Sequence, residues 1–198
     1  MSAPWVGALG GEIEVDIDDP ARPVTLIDFT RRPITDDDLA NLKELTSLQT
    51  LELGDTPITD ATLGHLNDLT GLRVLCLTGT RISDAGLVHL RALTNLHELE
   101  LIRTEVTDAG LAYLQNLKGL HTLGLSLTRV SDTGLRYLRE LANLEWLDLM
   151  GTNVTHQGVH ELQKAIPKLY VPWLSLASLG VDVYRVAKGD TKIVPPLA

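Results

Sequence analysis

The chain has 198 residues, a length that suits a single domain. Hydrophobic residues make up 44% of it and aromatic residues only 4%, so we expect a core of many equivalent aliphatic contacts. The formal net charge of −9 argues against nucleic-acid and anionic-membrane partners, because both need clustered Lys and Arg. Neutral or basic protein surfaces remain as the natural partners.

The sequence also predicts a cellular location. Cys76 is the single cysteine, which leaves no intrachain disulfide and fits a reducing compartment. Residues 1–11 lack the basic and apolar regions of a signal peptide, and no apolar run approaches the ~18 residues of a membrane span. We therefore expect a cytoplasmic monomer, although a fragment of a larger protein would carry the same signals.

Two strands are predicted at the start of the chain. Ile13, Val15 and Ile17 alternate with acidic residues, which is the period-two pattern of a strand. A turn-rich stretch at residues 18–23 leads to a second strand at residues 24–29. We interpret residues 1–23 as an N-terminal cap whose strand pairs with or covers the first repeat.

A repeat of 24 residues occupies residues 24–173. The segment at residues 58–63 recurs at 82–87, 106–111 and 130–135 with no insertion. Half of each unit reads L-x-x-L-x-L, and its last two leucines alternate with polar residues, which predicts a half-buried strand. In the other half leucines stand three apart, as in Leu63, Leu66 and Leu69, which predicts one face of a helix.

Polar residues mark the start of each predicted helix and the turn before it. A serine or threonine occupies the expected N-cap position of each predicted helix. These residues are Thr35, Thr59, Ser83, Thr107, Ser131 and Thr155. A carboxylate follows each of the first five, where the helix dipole favours it, so we assign capping rather than catalysis to Asp36, Asp60, Asp84, Asp108 and Asp132. The turn threonines are expected to form a ladder to the backbone of the neighbouring unit; they are Thr56, Thr80, Thr104, Thr128 and Thr152.

The combined pattern L-x-x-L-x-L-x-x-T-x-[IV]-[TS]-D-x-G-L-x-x-L resembles bacterial leucine-rich-repeat proteins with 24-residue repeats, of the ribonuclease-inhibitor-like class. The resemblance implies an α/β solenoid shaped as a curved horseshoe, with parallel strands on the concave face and helices on the convex face. It implies little about function, because the shared residues are those that build the solenoid.

The end of the array is less regular than its middle. We predict a last helix at about residues 155–165, which stops near Pro167. Leu169, Val171 and Trp173 suggest a final strand that is slightly out of register. Residues 174–198 are interpreted as a C-terminal cap.

Candidate functional residues lie at the outward positions of the predicted sheet. If the first leucine of L-x-x-L-x-L is position one, positions three, five and seven point away from the core. Position five is an acidic column whose closely spaced charges should reinforce one another, and large apolar residues stand beside it. The predicted partner-binding residues are Asp28, Glu52, Glu98, Glu100, Ile102, Trp146, Asp148 and Met150. A protein that presents Lys or Arg beside an apolar anchor would fit this face.

No catalytic, cofactor or metal site is predicted. Cys76 stands between Glu52 and Glu100, whose charges should raise its pKa and suppress the thiolate. His97 and His121 occupy the same position in adjacent units but lack a third metal ligand. A ubiquitin-ligase-like effector would need an F-box-like segment, which the short N-terminus lacks. The sequence thus favours a non-catalytic protein-interaction scaffold, and a structural spacer within a larger protein is the alternative.

Overall fold

The computed structural model describes residues 3–172 of the chain. The predicted C-terminal cap at residues 174–198 lies outside this range, as does Trp173, so the domain boundaries stay a prediction. Within residues 3–172, no helix combines the length and apolar character that crossing a membrane requires.

A single seven-stranded sheet runs the length of the molecule in the chain order β1 to β7. Strands β2 to β7 are parallel, and each residue pairs with the one that follows it by 24 positions, as in Leu51↔Leu75 and Leu75↔Leu99. This register confirms the predicted parallel sheet of the solenoid. The strands are β1 (Glu12–Val15), β2 (Val24–Asp28), β3 (Thr50–Glu52), β4 (Val74–Cys76), β5 (Glu98–Glu100), β6 (Thr122–Gly124) and β7 (Trp146–Asp148).

Short helices return the chain from each strand to the next. The α-helices are α1 (Pro4–Ala8), α2 (Asp60–Gly64), α3 (Asp84–Leu87), α4 (Asp108–Leu111), α5 (Asp132–Leu135) and α6 (His156–Ala165). The 3₁₀ helices are Asp37–Glu44, Val88–Ala92 and Arg136–Leu138. The exact spacing of three between leucines suits a 3₁₀ helix, which has three residues per turn. Most of the predicted helices are therefore a single turn of α-helix. In two repeats, a 3₁₀ helix continues directly from this α-turn.

The leucines of the repeat form one continuous core between sheet and helices. Leu99, at the middle of the array, is fully buried, as are its counterparts Leu75 and Leu123 in the adjacent units. Four of the five turn threonines are buried beside this core and Thr152 is half-buried, but their bonding differs from the prediction. The Thr80 hydroxyl donates to the carbonyl oxygen of Leu77 in its own unit at 2.6 Å, and the other turn threonines do the same. The predicted ladder between units is wrong, because three residues of tight turn bring each hydroxyl back to its own strand.

Aspartates do link neighbouring units. The Ser83 hydroxyl accepts a hydrogen bond from Ala85 N and so caps α3, as predicted. The same residue donates from its backbone N–H and its hydroxyl to the Asp60 carboxylate of the preceding unit, at 2.7 and 2.6 Å. Each aspartate therefore holds the N-cap of the next unit in place, in addition to lying in the first turn of its own helix. Gly86 leaves room for the Asp60 carboxylate in this arrangement, since a Cβ there would overlap it.

The first unit departs from this pattern. Thr35 does not cap a helix: its backbone N–H and its hydroxyl both donate to Asp38 Oδ2 at 2.8 Å. Thr62 stands where later units have glycine, and its hydroxyl donates to Asp36. The aspartate link itself is unchanged, because Thr59 donates from its backbone N–H and its hydroxyl to Asp36 at 2.8 and 2.7 Å, and the Thr62 hydroxyl adds a further bond.

The two ends of the array are covered differently. Strand β1 pairs antiparallel with β2, and α1 packs the Trp5 ring against Phe29 with the ring centroids 6.0 Å apart. At the far end, Tyr170 pairs with Trp146 in the parallel direction. This pairing keeps the 24-residue register at Tyr170. The predicted slip is present one residue earlier: Leu169 is buried, and its N–H donates to Ile166 O as Leu144 N donates to Leu141 O, 25 positions before.

Candidate partner-binding face

All eight predicted residues project from one side of the sheet. We call this side the sheet face and define it as the outward side chains at positions three, five and seven of β2 to β7. Asp28 pairs with Glu52, Cys76 pairs with Glu100, and Gly124 pairs with Asp148, so position five is a continuous column across six strands. The register therefore brings together residues that are up to 120 positions apart in the sequence.

Burial changes the predicted charge of the acidic column. Burial raises the pKa of Glu52, partly offset by a hydrogen bond from the Cys76 thiol. Burial also raises the pKa of Glu100 to about 8, and the charges of Glu98, Asp148 and Glu52 add to this rise. Glu100 is consequently mostly protonated at neutral pH. The expectation that position five carries mutually reinforcing charges is wrong at Glu100, because proximity and burial make the neutral acid the favoured form.

The Glu100 side chain lies across the adjacent strand. Gly124 has no side chain, and Glu100 fills the space above it: a Cβ on Gly124 would overlap the carboxylate. Ile102 lies against the same glycine, 3.1 Å from the position of that Cβ. Glu100 Oε2 is buried and no donor in residues 3–172 bonds to it. A buried acceptor in this condition is uncommon in folded proteins and costs free energy.

A second unpartnered polar atom lies two residues after Gly124, just past the end of β6. Ser126 is only 3% exposed, and its hydroxyl oxygen is buried with no hydrogen-bond partner in the described part of the chain. The Ser126 carbonyl oxygen accepts a hydrogen bond from Arg103 N, and the next residue, Leu127, donates from its N–H to Met150 O. Ser126 therefore lies between the equivalent segments of the preceding and following units. Sequence reasoning missed Gly124 and Ser126 because it searched for large outward residues. The sequence feature that could have identified them is their small side chains, at outward positions where most other units carry larger residues.

Aromatic residues occupy the C-terminal end of the sheet face. Trp146 is 39% exposed and Tyr170 is 52% exposed, and their ring centroids are 5.1 Å apart. Tyr170 was missed because the displaced Leu169 suggested a different register. Leu127 adds an exposed apolar side chain at the rim, in a left-handed backbone conformation with φ of 58°. The predicted apolar cluster is therefore larger than its sequence-predicted members Ile102, Trp146 and Met150.

An ion pair spans the rim beside position seven. Arg103 Nη2 donates to Asp55 Oδ1 at 2.6 Å across the intervening unit, and Arg31 Nε lies 3.7 Å from Asp55 Oδ2. The pair passes over Gly79, where φ is 69° and a Cβ would collide with the Asp55 carboxylate. These partners are two units apart, so the one-unit columns considered from sequence did not reveal them.

The structure also bears on the nucleophile and metal alternatives. Burial raises the pKa of the Cys76 thiol to about 11, with a further contribution from the Glu52 charge. The pKa of Cys76 is raised as predicted, but burial is the main cause, and of the two predicted charges only that of Glu52 contributes. The rings of His97 and His121 meet edge to face with centroids 5.2 Å apart. Within residues 3–172, no three side chains of the His, Cys, Asp or Glu type converge on a metal position.

Comparison with known proteins identifies the fold. No protein-family model and no curated protein sequence matches the chain. Among solved structures, an internalin (inlF) from Listeria monocytogenes superimposes with a TM-score of 0.59 and 25% identity, over 67% of this chain and 36% of the internalin. Internalin C2 from the same organism gives a TM-score of 0.56 and 23% identity, over 79% of this chain and 77% of its own. The PEPR1–AtPEP1 structure gives a TM-score of 0.53 and 18% identity, over 79% of this chain and 22% of that one.

The chain spans about a third of the first of these internalins, so the likeness concerns the repeat architecture and not a whole protein. The parallel register at intervals of 24 residues, the leucine core and these structural neighbours lead to one conclusion. The chain is a leucine-rich-repeat solenoid.

Proposed function

We propose that the chain is a non-catalytic protein-binding module that acts through its sheet face. The observation that carries the proposal is the exposed pair Trp146 and Tyr170, which lies beside Asp148 on the parallel sheet. Exposed aromatic groups that share a surface with charged groups are typical of binding hot spots. Protein binding is also the role that the structural neighbours support.

The preferred partner in this proposal is a basic protein segment with an apolar anchor. The net charge of the chain is −9, and Asp28, Glu52, Glu98 and Asp148 place carboxylates along the sheet face. Such a surface attracts Lys and Arg and repels phosphate backbones and anionic lipids. We further propose that the protein works as a monomer in the cytoplasm of a bacterial cell.

A random peptide display library selected on the immobilised chain tests this function. Enriched peptides should combine Lys or Arg with a nearby aromatic or aliphatic residue. Trp146→Ala should abolish most of the enrichment, whereas Val88→Ala should preserve it. Val88 is a matched control, because it is 37% exposed, close to the 39% of Trp146, but follows α3 on the helix side. Enrichment that survives Trp146→Ala would contradict the assignment of the face.

The alternative function is a structural spacer with no partner of its own. It predicts that the wild-type chain enriches no consensus at all. An empty selection, repeated with proteins extracted from the source cell, would therefore replace the binding proposal with the spacer.

A further inference from the structure

We propose that β1 is a docking edge for an extended partner strand in which Lys or Arg alternates with aliphatic residues. The partner strand pairs with the free side of β1 and places its basic side chains beside Glu12 and Glu14 and its aliphatic side chains beside Ile13. This surface lies at the opposite end of the sheet from Trp146 and Tyr170. The inference therefore goes beyond the function proposed for the sheet face.

The free side of β1 is an open edge of the sheet. Strand β1 is first in the strand order, and three of its four residues are exposed. Within residues 3–172, no backbone N–H or carbonyl group of Glu12–Val15 bonds to anything except β2. Alternate residues of an edge strand direct these groups away from the sheet, where they can pair with another strand. The extra residue that interrupts the β1–β2 register, Thr25, belongs to β2, so β1 itself keeps a regular alternation.

The two sides of β1 differ in their chemistry. Glu12 pairs with Asp28, which places it and Glu14, two residues further on, on the same side as the sheet face. Ile13 pairs with Ile27 and therefore lies on the core side. Ile27 is fully buried, whereas Ile13, which has no strand beyond it, is 43% exposed. A strand added at this edge would cover apolar surface on one side and meet carboxylates on the other.

The apolar surface continues past the end of β1. Ile17 is 76% exposed and follows Ile13 at an interval of four residues, which an alternating strand would keep on one side. Removing exposed aliphatic surface from water favours association by about 25 cal/mol per Å². An aliphatic residue at every second position of the partner would use this surface.

Charge determines which strand fits the edge. Five of the eight residues at positions 12–19 are acidic and none is basic. In the part of the chain that the structure describes, neither Glu12 nor Glu14 forms an ion pair. Opposite charges directly across two strands stabilise the pairing, whereas like charges destabilise it. A second copy of the chain would bring its own acidic β1 against this one, so the edge favours a basic strand from a different protein.

A synthetic peptide of alternating Lys and Val, about eight residues long, tests the docking edge on the full-length chain. In an NMR titration, the backbone amide signals of Glu12–Val15 should shift and saturate, and hydrogen exchange of the β1 amides should slow. The same peptide with an N-methylated backbone keeps the charges and side chains but has no N–H donors, so it should bind at least about tenfold more weakly. Trp146→Ala should leave binding at β1 unchanged.

Charge reversal supplies the matched variants. Glu12→Lys combined with Glu14→Lys should weaken the Lys–Val peptide at least about tenfold and should allow an alternating Glu–Val peptide to bind instead. Binding of the Glu–Val peptide also shows that the variant is folded. Glu105→Lys combined with Glu140→Lys changes the net charge by the same amount at exposed positions outside β1, and it should preserve binding of the Lys–Val peptide.

Three results would overturn the docking edge: equal binding of the N-methylated peptide, amide shifts confined to β5 to β7, or equal weakening by the two pairs of charge reversals. Sedimentation of the free chain as a dimer with protected β1 amides would replace the basic strand by a second copy. If peptides from the display library require Trp146 while the Lys–Val peptide leaves β1 unshifted, the docking edge is wrong and the function proposed for the sheet face stands.

Discussion

Replacing Glu100 with glutamine should stabilise the protein in a pH-dependent manner. Glutamine has nearly the shape of the protonated acid and cannot ionise, so it preserves the contact above Gly124 and removes the cost of keeping the acid protonated above its ordinary pKa. Glu100→Gln should therefore be more stable than the wild type at neutral and alkaline pH. At low pH the two proteins should be nearly equal.

The magnitude follows from the raised pKa of Glu100, which moves from 4.5 to about 8. Below the lower value the carboxyl is protonated in both folded and unfolded chains, so it contributes nothing to the pH dependence. Between the two values the unfolded chain releases the proton and the folded chain keeps it. The wild type then loses about 1.4 kcal/mol of unfolding free energy per pH unit, which accumulates to roughly 4 kcal/mol at pH 8.

Urea denaturation at several values between pH 4.5 and pH 8 measures this difference. The gap between Glu100→Gln and the wild type should open steadily as the pH rises. Glu140→Gln is the control, because the Glu140 side chain is 80% exposed on the helix side and its removal should leave no such gap. A constant difference between Glu100→Gln and the wild type at every pH would refute the assignment of a buried, protonated carboxyl.

Three further predictions concern the core, the links between units and the thiol. Leu99→Ala should cost about 2–5 kcal/mol through a cavity at the middle of the array, and a urea melt without loss would contradict the register. Asp84→Ala removes the bonds from Thr107 N and Oγ1 at 2.8 and 2.6 Å, so it should lower the unfolding free energy by about 1–3 kcal/mol; an unchanged melting temperature would count against the link. Cys76 should react with iodoacetamide at pH 8 roughly a hundredfold more slowly than a free thiol, and equal rates would show that it is not buried beside Glu52.

The strands, the core and most helix caps could be predicted from the sequence, because the same residue types recur at the same positions of each repeat. Leu51, Leu75 and Leu99 occupy equivalent positions, and one register satisfies them all. Ser83 caps its helix through a bond to a residue two positions away, which local sequence rules describe well.

Features that depend on three-dimensional neighbours were beyond the repeat pattern. The Asp60 carboxylate bonds to Ser83 across 23 positions, so sequence reasoning assigned it to its own helix alone. The exposed charge predicted for Glu100 is wrong for a related reason. Gly124 has no side chain, and the Glu100 side chain occupies the space that this leaves on the adjacent strand. Small residues in the sheet face determine where large ones can go, and a list of outward side chains does not show this.

The binding face itself is tested most directly by mapping a selected peptide onto the chain. A peptide enriched by the wild-type protein would be added to ¹⁵N-labelled chain, and backbone amide shifts would be recorded over residues 3–172. The account predicts that the shifts concentrate at the outward positions of β5 to β7, including Glu98, Thr122 and Trp146. Shifts confined to the helix side, around His89 and Tyr113, would contradict it.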